Sequence, residues 1–456
     1  MKETVFDPVF DQKADILVLG AGVAGLSAAL RLADAGRQPL VLEAAPAPGG
    51  RARSWFDPTC AEELDNGPHL LMGAYTHTLQ LLNRLGTRHQ LLEESTPTFT
   101  FWDATHGVHR LTCPDWPAPW HLLAALARFP ALSLSDGLAA LRLAPDLLSH
   151  PSRLEKQSVT QWLTRHRQGE NLCQRLWYPL CLTTLNEPPG SANAALFVTV
   201  LKRLFLADRG AARPLLPAIP LSRLLITPAQ TAIQQAGGSV RCRCRVRELT
   251  FADRRLQAVH TDQGSWLQPR AVIAALPPAA LARLIPEWAT RTRMTALRNA
   301  PIVSVHLTYD YPATLPAALI GLPQTTSQWF LDRNIIQGLP PCHTNGRFTA
   351  VLSAAYRERT WSPARLIQAV HQDLSRMVPA LAHQTPQAAR VIKEHQATFA
   401  AWPDTTACRP VSQTPWDNFW LAGDWTATGL PATLEGAVQS GVGAAEKILD
   451  LLAHER

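Results

Sequence analysis

The sequence predicts an α/β protein in which a Rossmann-like nucleotide-binding domain, built from discontinuous segments, is joined to a mixed α+β domain with a helical part. Three observations carry this reading. The apolar run Ile16-Leu17-Val18-Leu19 enters Gly20-Ala21-Gly22-Val23-Ala24-Gly25, and a second apolar stretch, Pro39-Leu40-Val41-Leu42, ends at Glu43. After Gly237-Gly238 the hydrophobic period changes from helical to alternating and finishes in Val272-Ile273-Ala274-Ala275-Leu276, an apolar run typical of a strand covered on both faces. Near the C-terminus, Phe419-Trp420-Leu421-Ala422 leads into Gly423-Asp424 and a long helical pattern.

The first segment is a dinucleotide pocket. Gly20 permits the tight strand-to-helix turn, Gly22 lets backbone amides approach a pyrophosphate, and Gly25 allows the helix to pack closely on the strand. Gly20, Gly22, Ala24 and Gly25 are therefore expected cofactor contacts. Glu43 falls about 20 residues beyond the glycines, where a carboxylate bonds ribose hydroxyls and disfavours a 2′-phosphate. Gly49-Gly50-Arg51-Ala52-Arg53 then adds a second glycine turn with two guanidinium groups, which points to FAD. The apolar run from Ile16 to Leu32 is not a signal peptide by this reading, because glycines interrupt it and no basic segment precedes it.

Next, Thr76 to Gly86 reads as a helix stopped by glycine, and Thr98 to Leu111 as a hairpin around Thr105-His106-Gly107. Pro117 to Leu225 is mostly helical. Alternating strands follow through Val240, Val246, Leu249, Leu256, Val259 and Trp266, and Val246 is an expected cofactor contact. Val303 to Tyr309 alternates as a strand, and Ser362 to Met377 reads as a helix that could floor a substrate cavity. The final segment sets Asp424 at a strand tip, where a carboxylate accepts hydrogen bonds from a ribityl chain. The helix starting near Thr433-Leu434 offers amides and a positive dipole to the flavin's pyrimidine edge. Gly423, Asp424, Thr433 and Leu434 complete the expected FAD contacts with Gly49, Gly50 and Arg51. The implied division is residues 1–88, 222–282 and 411–456 for FAD, and 89–221 and 283–410 for substrate.

Composition bounds the rest. A chain of 456 residues with 46% hydrophobic residues can bury two or three cores. The net charge of +7 arises from 43 basic against 36 acidic residues without a dense basic block, so nucleic-acid binding is not indicated, whereas a mildly basic surface suits anionic lipid. The eight cysteines, Cys342 among them, lack zinc-like spacing and read as reduced cytosolic thiols. Cys242 and Cys244 are expected on one strand face. No 18-residue apolar stretch is present, so the protein is expected in the cytoplasm, either soluble or peripheral on the inner face of the cell membrane.

Three stretches resemble a known family: Gly20 to Arg53, Leu64-Asp65-Asn66-Gly67-Pro68-His69-Leu70-Leu71-Met72-Gly73-Ala74-Tyr75, and Gly423 to Ala437. They are similar to the FAD-dependent squalene-associated desaturases, better described as hydroxysqualene dehydroxylases, within the phytoene desaturase and amine oxidase superfamily. Weaker similarity around Tyr178 to Asn186 and Gln328-Trp329-Phe330 extends the match over nearly the whole chain. The chain departs from the family in carrying Pro68 where Gln is common, which removes an amide donor, and in a polar leader over residues 1–14.

The resemblance implies a bacterial glutathione-reductase-type flavoprotein that replaces the hydroxyl of hydroxysqualene with hydrogen in squalene or hopanoid synthesis. Such chemistry needs an acid, a dry apolar tunnel and a positioned flavin. His69 is the first choice for the acid and Asp65 the second, since their segment resembles the strand that approaches the flavin ring. Trp116, Trp120, Phe129, Trp162, Trp177, Tyr178, Phe197 and Phe205 could line the tunnel. A magnesium cluster at Glu62, Glu63 and Asp65 is not expected, because Glu62 points away on an alternating strand; no metal site is assigned. Ala194 to Arg213, with Lys202, Arg203 and Arg209, has the composition of an interfacial helix, and equally that of an internal one.

With no reductase domain visible, an external reductant is required, either a nicotinamide cofactor or a reductase. The nearest rival activity is a carotenoid desaturase, which runs electrons the other way. An amine oxidase often has a flavin-linking cysteine, which Gly423 to Gly436 lacks. A non-enzymatic alternative is a carrier similar to the prenyl-binding escort proteins of vesicle-transport GTPases; intact flavin motifs argue against it.

Overall fold

Five short strands run parallel in the order Ser239–Arg241, Leu40–Leu42, Ile16–Leu19, Ala271–Ala274 and Phe419–Leu421, in a computed structural model that describes residues 15–117, 119–208, 210–340 and 345–454. All but the edge strand Ser239–Arg241 are apolar throughout and buried, as strands covered on both sheet faces are. Ile16, Val18, Val41, Ala271 and Ile273 pack beneath the helices Val23–Asp34 and Leu434–His454. Leu17, Leu19, Leu42, Val272 and Leu421 share the opposite core with Leu249 and Val259. Those two residues belong to the antiparallel meander Val246–Ala252, Arg255–Thr261 and Trp266–Leu267. The sheet is thus assembled from three distant pieces of chain, and the run from Ile16 to Leu32 is a buried strand, turn and helix.

A second sheet has seven strands in the order Ala388–Phe399, Asn299–Pro312, Asn345–Leu352, Trp329–Asp332, Leu319–Gly321, Thr98–Asp103 and Gly107–Thr112. The expected hairpin around residues 105–107 is its edge. In the Asn299–Pro312 strand, Val303, Val305, Leu307 and Tyr309 pack against Leu366, Val370 and Leu374 of the Pro363–Met377 helix. The alternate residues Ser304, His306 and Thr308 are also buried. The expected period is present, but the polar face is turned inward.

The helical part includes Trp120–Arg128, Leu134–Ala140, Val159–Arg165, Tyr178–Leu185 and Ala194–Phe205. It contains a strand that the pattern did not reveal, Pro214–Pro217, which pairs with Leu71–Met72 and Leu91–Glu93. Two prolines at its ends hide it from period counting.

Several expectations are corrected. Ala194–Phe205 is an internal helix: Leu196, Phe197, Val200, Leu201, Leu204 and Phe205 are all buried, and Lys202 Nζ donates to the Ser149 carbonyl at 2.9 Å. An interfacial helix would leave those side chains for lipid. Phe129, Trp162, Trp177, Phe197 and Phe205 are packed core, whereas Trp116 and Trp120 are exposed. Cys242 and Cys244 do not share a strand face, because the strand stops at Arg241 and Arg243 adopts a left-handed φ of 57°. All seven cysteines among the described residues are free. The leader, Arg209 and Cys342 lie outside the described residues. No helix among the described residues is long and apolar enough to cross a membrane.

Candidate active site

The glycine turn is built as the motif requires. Gly20 has φ +100°, and a Cβ there would sit 2.6 Å from the Ala275 carbonyl oxygen; at Gly25 it would lie 2.0 Å from the Gly20 carbonyl oxygen. A Cβ at Gly22 would meet no protein atom within 4 Å. Packing explains the first and third glycines but not the second, which is bare where a phosphate would press against backbone. Ala24 is buried beside the C-terminal helix, its carbonyl facing Gly441. Glu43 sits at the same turn: Oε2 accepts from the Ala21 amide at 2.8 Å and Oε1 from the Ala45 amide at 2.7 Å. Each oxygen keeps a lone pair for a ribose hydroxyl. The Cys244 amide donates to the Glu43 carbonyl at 2.8 Å, which brings the nearby Val246 toward this edge.

Gly49, at φ +112°, bridges to Gly22 through its amide and the Ala21 carbonyl at 2.8 Å. Gly50 follows at φ +55° and opens the short helical turn that carries Arg51. Arg51 Nη2 donates to Asp424 Oδ1 at 2.7 Å and Nη1 to the Ala397 carbonyl at 2.8 Å. The neighbouring Asp424 carboxylate raises the Arg51 pKa above its ordinary value. Gly423, at φ +147°, turns the chain so that Asp424 is buried beside the first turn. Thr433 Oγ1 accepts from the Gly436 amide at 3.1 Å, capping the helix that begins at Leu434. The N- and C-terminal motifs therefore meet through one ion pair.

Two supports were not foreseen. Arg409 is buried, bonds the Asp424 carbonyl at 3.1 Å and Thr428 Oγ1 at 3.0 Å, and stacks on Phe399. Burial lowers its pKa to about 10, opposed by Asp424. Glu435 accepts from the amides of His77 at 3.0 Å and Thr78 at 2.9 Å, so it caps the Thr76–Arg84 helix from across the chain. A lone Arg in a loop and a Glu in a first turn have no sequence signature for such distant partners.

Asp65 and His69 line one cleft with Pro68, His306, Arg333 and Glu62, walled by Leu216, Pro217, Ile219, Leu331 and Ile336. The apolar wall thus comes from the hidden strand and the seven-stranded sheet, not from the expected aromatics. Asp65 Oδ1 accepts from Ser54 Oγ at 2.6 Å and from the Leu221 amide at 2.9 Å. Burial nonetheless pushes its pKa up to about 6. His69 Nδ1 lies 2.8 Å from the Gly67 carbonyl; a carbonyl only accepts, so Nδ1 carries the proton and neutral His69 presents an unprotonated Nε2. Burial, reinforced by Arg51, lowers its pKa.

His306 was also unforeseen. Its Nδ1 is 2.9 Å from Thr349 Oγ1, its buried Nε2 has no hydrogen-bond partner, and burial with Arg333 and Arg390 lowers its pKa to about 3. Alternation along Val303 to Tyr309 placed it on the polar face, the one signal available. Arg333 is paired with Glu62, which also bonds Arg347 at 3.2 Å; Glu63 pairs with Arg223 at 2.8 Å. Asn66 Nδ2 donates to Glu394 at 2.8 Å, tying this segment to the strand whose Ala397 receives Arg51.

Comparison with known proteins shows the family and the fold. The sequence model of the family described as flavin containing amine oxidoreductase matches residues 23–449. A hydroxysqualene dehydroxylase of Rhodopseudomonas palustris is 32% identical over 95% of this chain and 97% of its own, and one of Sinorhizobium fredii is 31% identical over 95% and 98%. A 15-cis-phytoene desaturase of an Oncidium hybrid is 26% identical over 95% of this chain and 78% of its own. Among solved structures, cyclohexylamine oxidase of Brevibacterium oxydans shares the fold with TM-score 0.70 at 19% identity, covering 98% of this chain and 100% of that one. The open space at Gly22, the acid at the turn and the Arg51–Asp424 pair fit FAD. The chain belongs to the flavin containing amine oxidoreductase family, and within it to the hydroxysqualene dehydroxylases, as an FAD-dependent oxidoreductase.

Proposed function

We propose that the protein reduces hydroxysqualene to squalene, with Asp65 as the proton donor in place of His69. The observation that carries this reading is a carboxyl with a pKa raised to about 6, set against an apolar wall in the cleft that also holds His69. Protonated Asp65 gives its proton to the substrate hydroxyl, the C–O bond breaks, and water leaves an allylic cation. FAD, when bound and reduced, supplies the hydride that quenches this cation. His69 and His306, both held neutral by burial, do not repel the positive charge, and His69 Nε2 offers it a lone pair. Glu62, shared with Arg347, offsets part of the Arg333 charge. Arg51, Asp424 and the Leu434 helix terminus would hold the cofactor. The apolar wall excludes water that would otherwise recapture the cation. Electrons come from an external nicotinamide cofactor or a reductase.

Anaerobic incubation of FAD-loaded protein with hydroxysqualene and dithionite, read by mass spectrometry, tests the proposal. Squalene formed in step with flavin reoxidation is the expected result. The desaturase relatives supply a second reading: no squalene, with phytoene desaturated under an electron acceptor, would replace the first by that one.

A further inference from the structure

The helical part ends outward in an apolar face that no element of the described fold covers. Leu134–Ala140 continues through Leu141–Leu143 into Ala144–Leu148. Along it Leu134, Leu138, Leu141 and Leu148 are 74%, 68%, 44% and 78% exposed. Their spacings of four, three and seven place them on one side of the helix, while Ala140 and Leu143 on the other side are buried. Trp120 and Trp116, beside the neighbouring Trp120–Arg128 helix, are 60% and 48% exposed. Single exposed leucines are ordinary on a soluble protein; four in one stripe with two tryptophans are not.

Charge selects the occupant. Asp136 is spent on Ser133 and Asn171, and Asp146 on Trp162 and His166. The exposed cations have no carboxylate among their described partners: Arg128 stacks over Trp116 and Arg142 reaches only the Arg167 carbonyl. Leucines that can enter an acyl layer, tryptophans at their margin and guanidinium groups without a carboxylate among their described partners match an anionic lipid surface. A run of ring contacts links these helices to the strand that borders the cleft. Phe129 packs on Phe101 at 5.9 Å, and Phe101 on Trp329 at 5.7 Å, two residues before the cleft residue Leu331.

We propose that the Leu134–Leu148 stripe, flanked by Trp116 and Trp120, is a docking surface for the anionic lipid leaflet. It stands independently of the reaction assigned above. The test is sedimentation of FAD-loaded protein with phosphatidylglycerol or phosphatidylcholine vesicles. Binding to phosphatidylglycerol, weakened by salt, is expected, with a loss of about tenfold or more in the combined Leu134→Ser, Leu138→Ser and Leu148→Ser variant. Retained flavin absorbance shows that the variant is folded. Brominated lipid should quench part of the wild-type tryptophan emission, a fraction lost in the paired Trp116→Phe and Trp120→Phe variant. Protein that stays in the supernatant with both vesicles overturns the proposal, as does unchanged binding by the triple-Ser variant. Self-association of the wild type, abolished by the Ser changes and without lipid binding, would assign the face to a second copy of the chain instead.

Discussion

The FAD cradle and the reactive cleft are adjacent but are specified in opposite ways. In the cradle, Gly20, Gly25, Glu43, Gly49 and Arg51 lie within about thirty residues, the span such a motif needs, and backbone geometry dictates most of them. In the cleft, Asp65 and His69 share one segment while His306, Arg333 and Leu216 come from three others, and their chemistry depends on burial rather than identity. A motif residue is constrained by what touches it. A cleft residue is defined by what has been excluded from around it.

The largest expected effect sharpens this contrast within three residues of the cradle. Gly25→Ala drives a Cβ into the Gly20 carbonyl and should destabilise the apoprotein by about 3 kcal/mol or more. Gly22→Ala meets no atom, so its apoprotein Tm should stay near wild type while FAD affinity falls. Equal Tm losses in the two variants would show that Gly22 is merely packed.

In the cleft, Asp65→Asn should lower turnover by about a hundredfold, within the range for loss of a general acid, with KM little changed. Wild-type activity should decline as pH rises through about 6, where Asp65 loses its proton, and the Asn variant should lack that limb. Stability follows the same sign. A carboxyl whose folded pKa is raised contributes most below its unfolded value, and that contribution is lost as pH rises toward 6. If His69→Gln removes the limb and Asp65→Asn does not, the proton donor is His69.

Arg51→Lys tests the join between the two regions. It keeps the charge but cannot serve Asp424 and the Ala397 carbonyl together. A loss of about tenfold in FAD affinity is expected, measured by fluorescence titration; unchanged affinity would remove Arg51 from the cofactor site. Smallest of all, Arg84→Ala breaks the Arg84–Asp34 pair at 2.5 Å on a half-exposed side chain. Chemical denaturation should show a loss below about 1 kcal/mol, and a larger value would mean that surface pairing at the nucleotide domain matters more than its glycines imply.

Strands, turns and cofactor class were legible because their constraints are local. The run Ile16 to Leu19, the later Val272 to Ala274 and Phe419 to Leu421 each announced an apolar strand, and they do form neighbouring strands of one sheet. Ala194 to Arg213 stayed open between an interfacial and an internal helix because composition does not say whether apolar residues meet lipid or protein; packing buried Phe197 and Phe205. Pro214–Pro217 escaped because prolines end pattern counting even where an extended segment suits them. Arg409 and Glu435 escaped because each satisfies groups brought near only by the fold.

By itself the sequence determined the strands of the parallel sheet, the glycine turns and an acid, an arginine and a helix terminus suited to FAD; that Arg51 meets Asp424 came from the fold. These follow from glycine placement, residue type and hydrophobic period, all properties of short segments. Only the tertiary structure decided which groups share the cleft, that Asp65 holds a proton near pH 6 while His69 and His306 stay neutral, and which leucines remain uncovered. Desolvation and exposure are sums over neighbours from the whole chain, and no local pattern encodes such a sum.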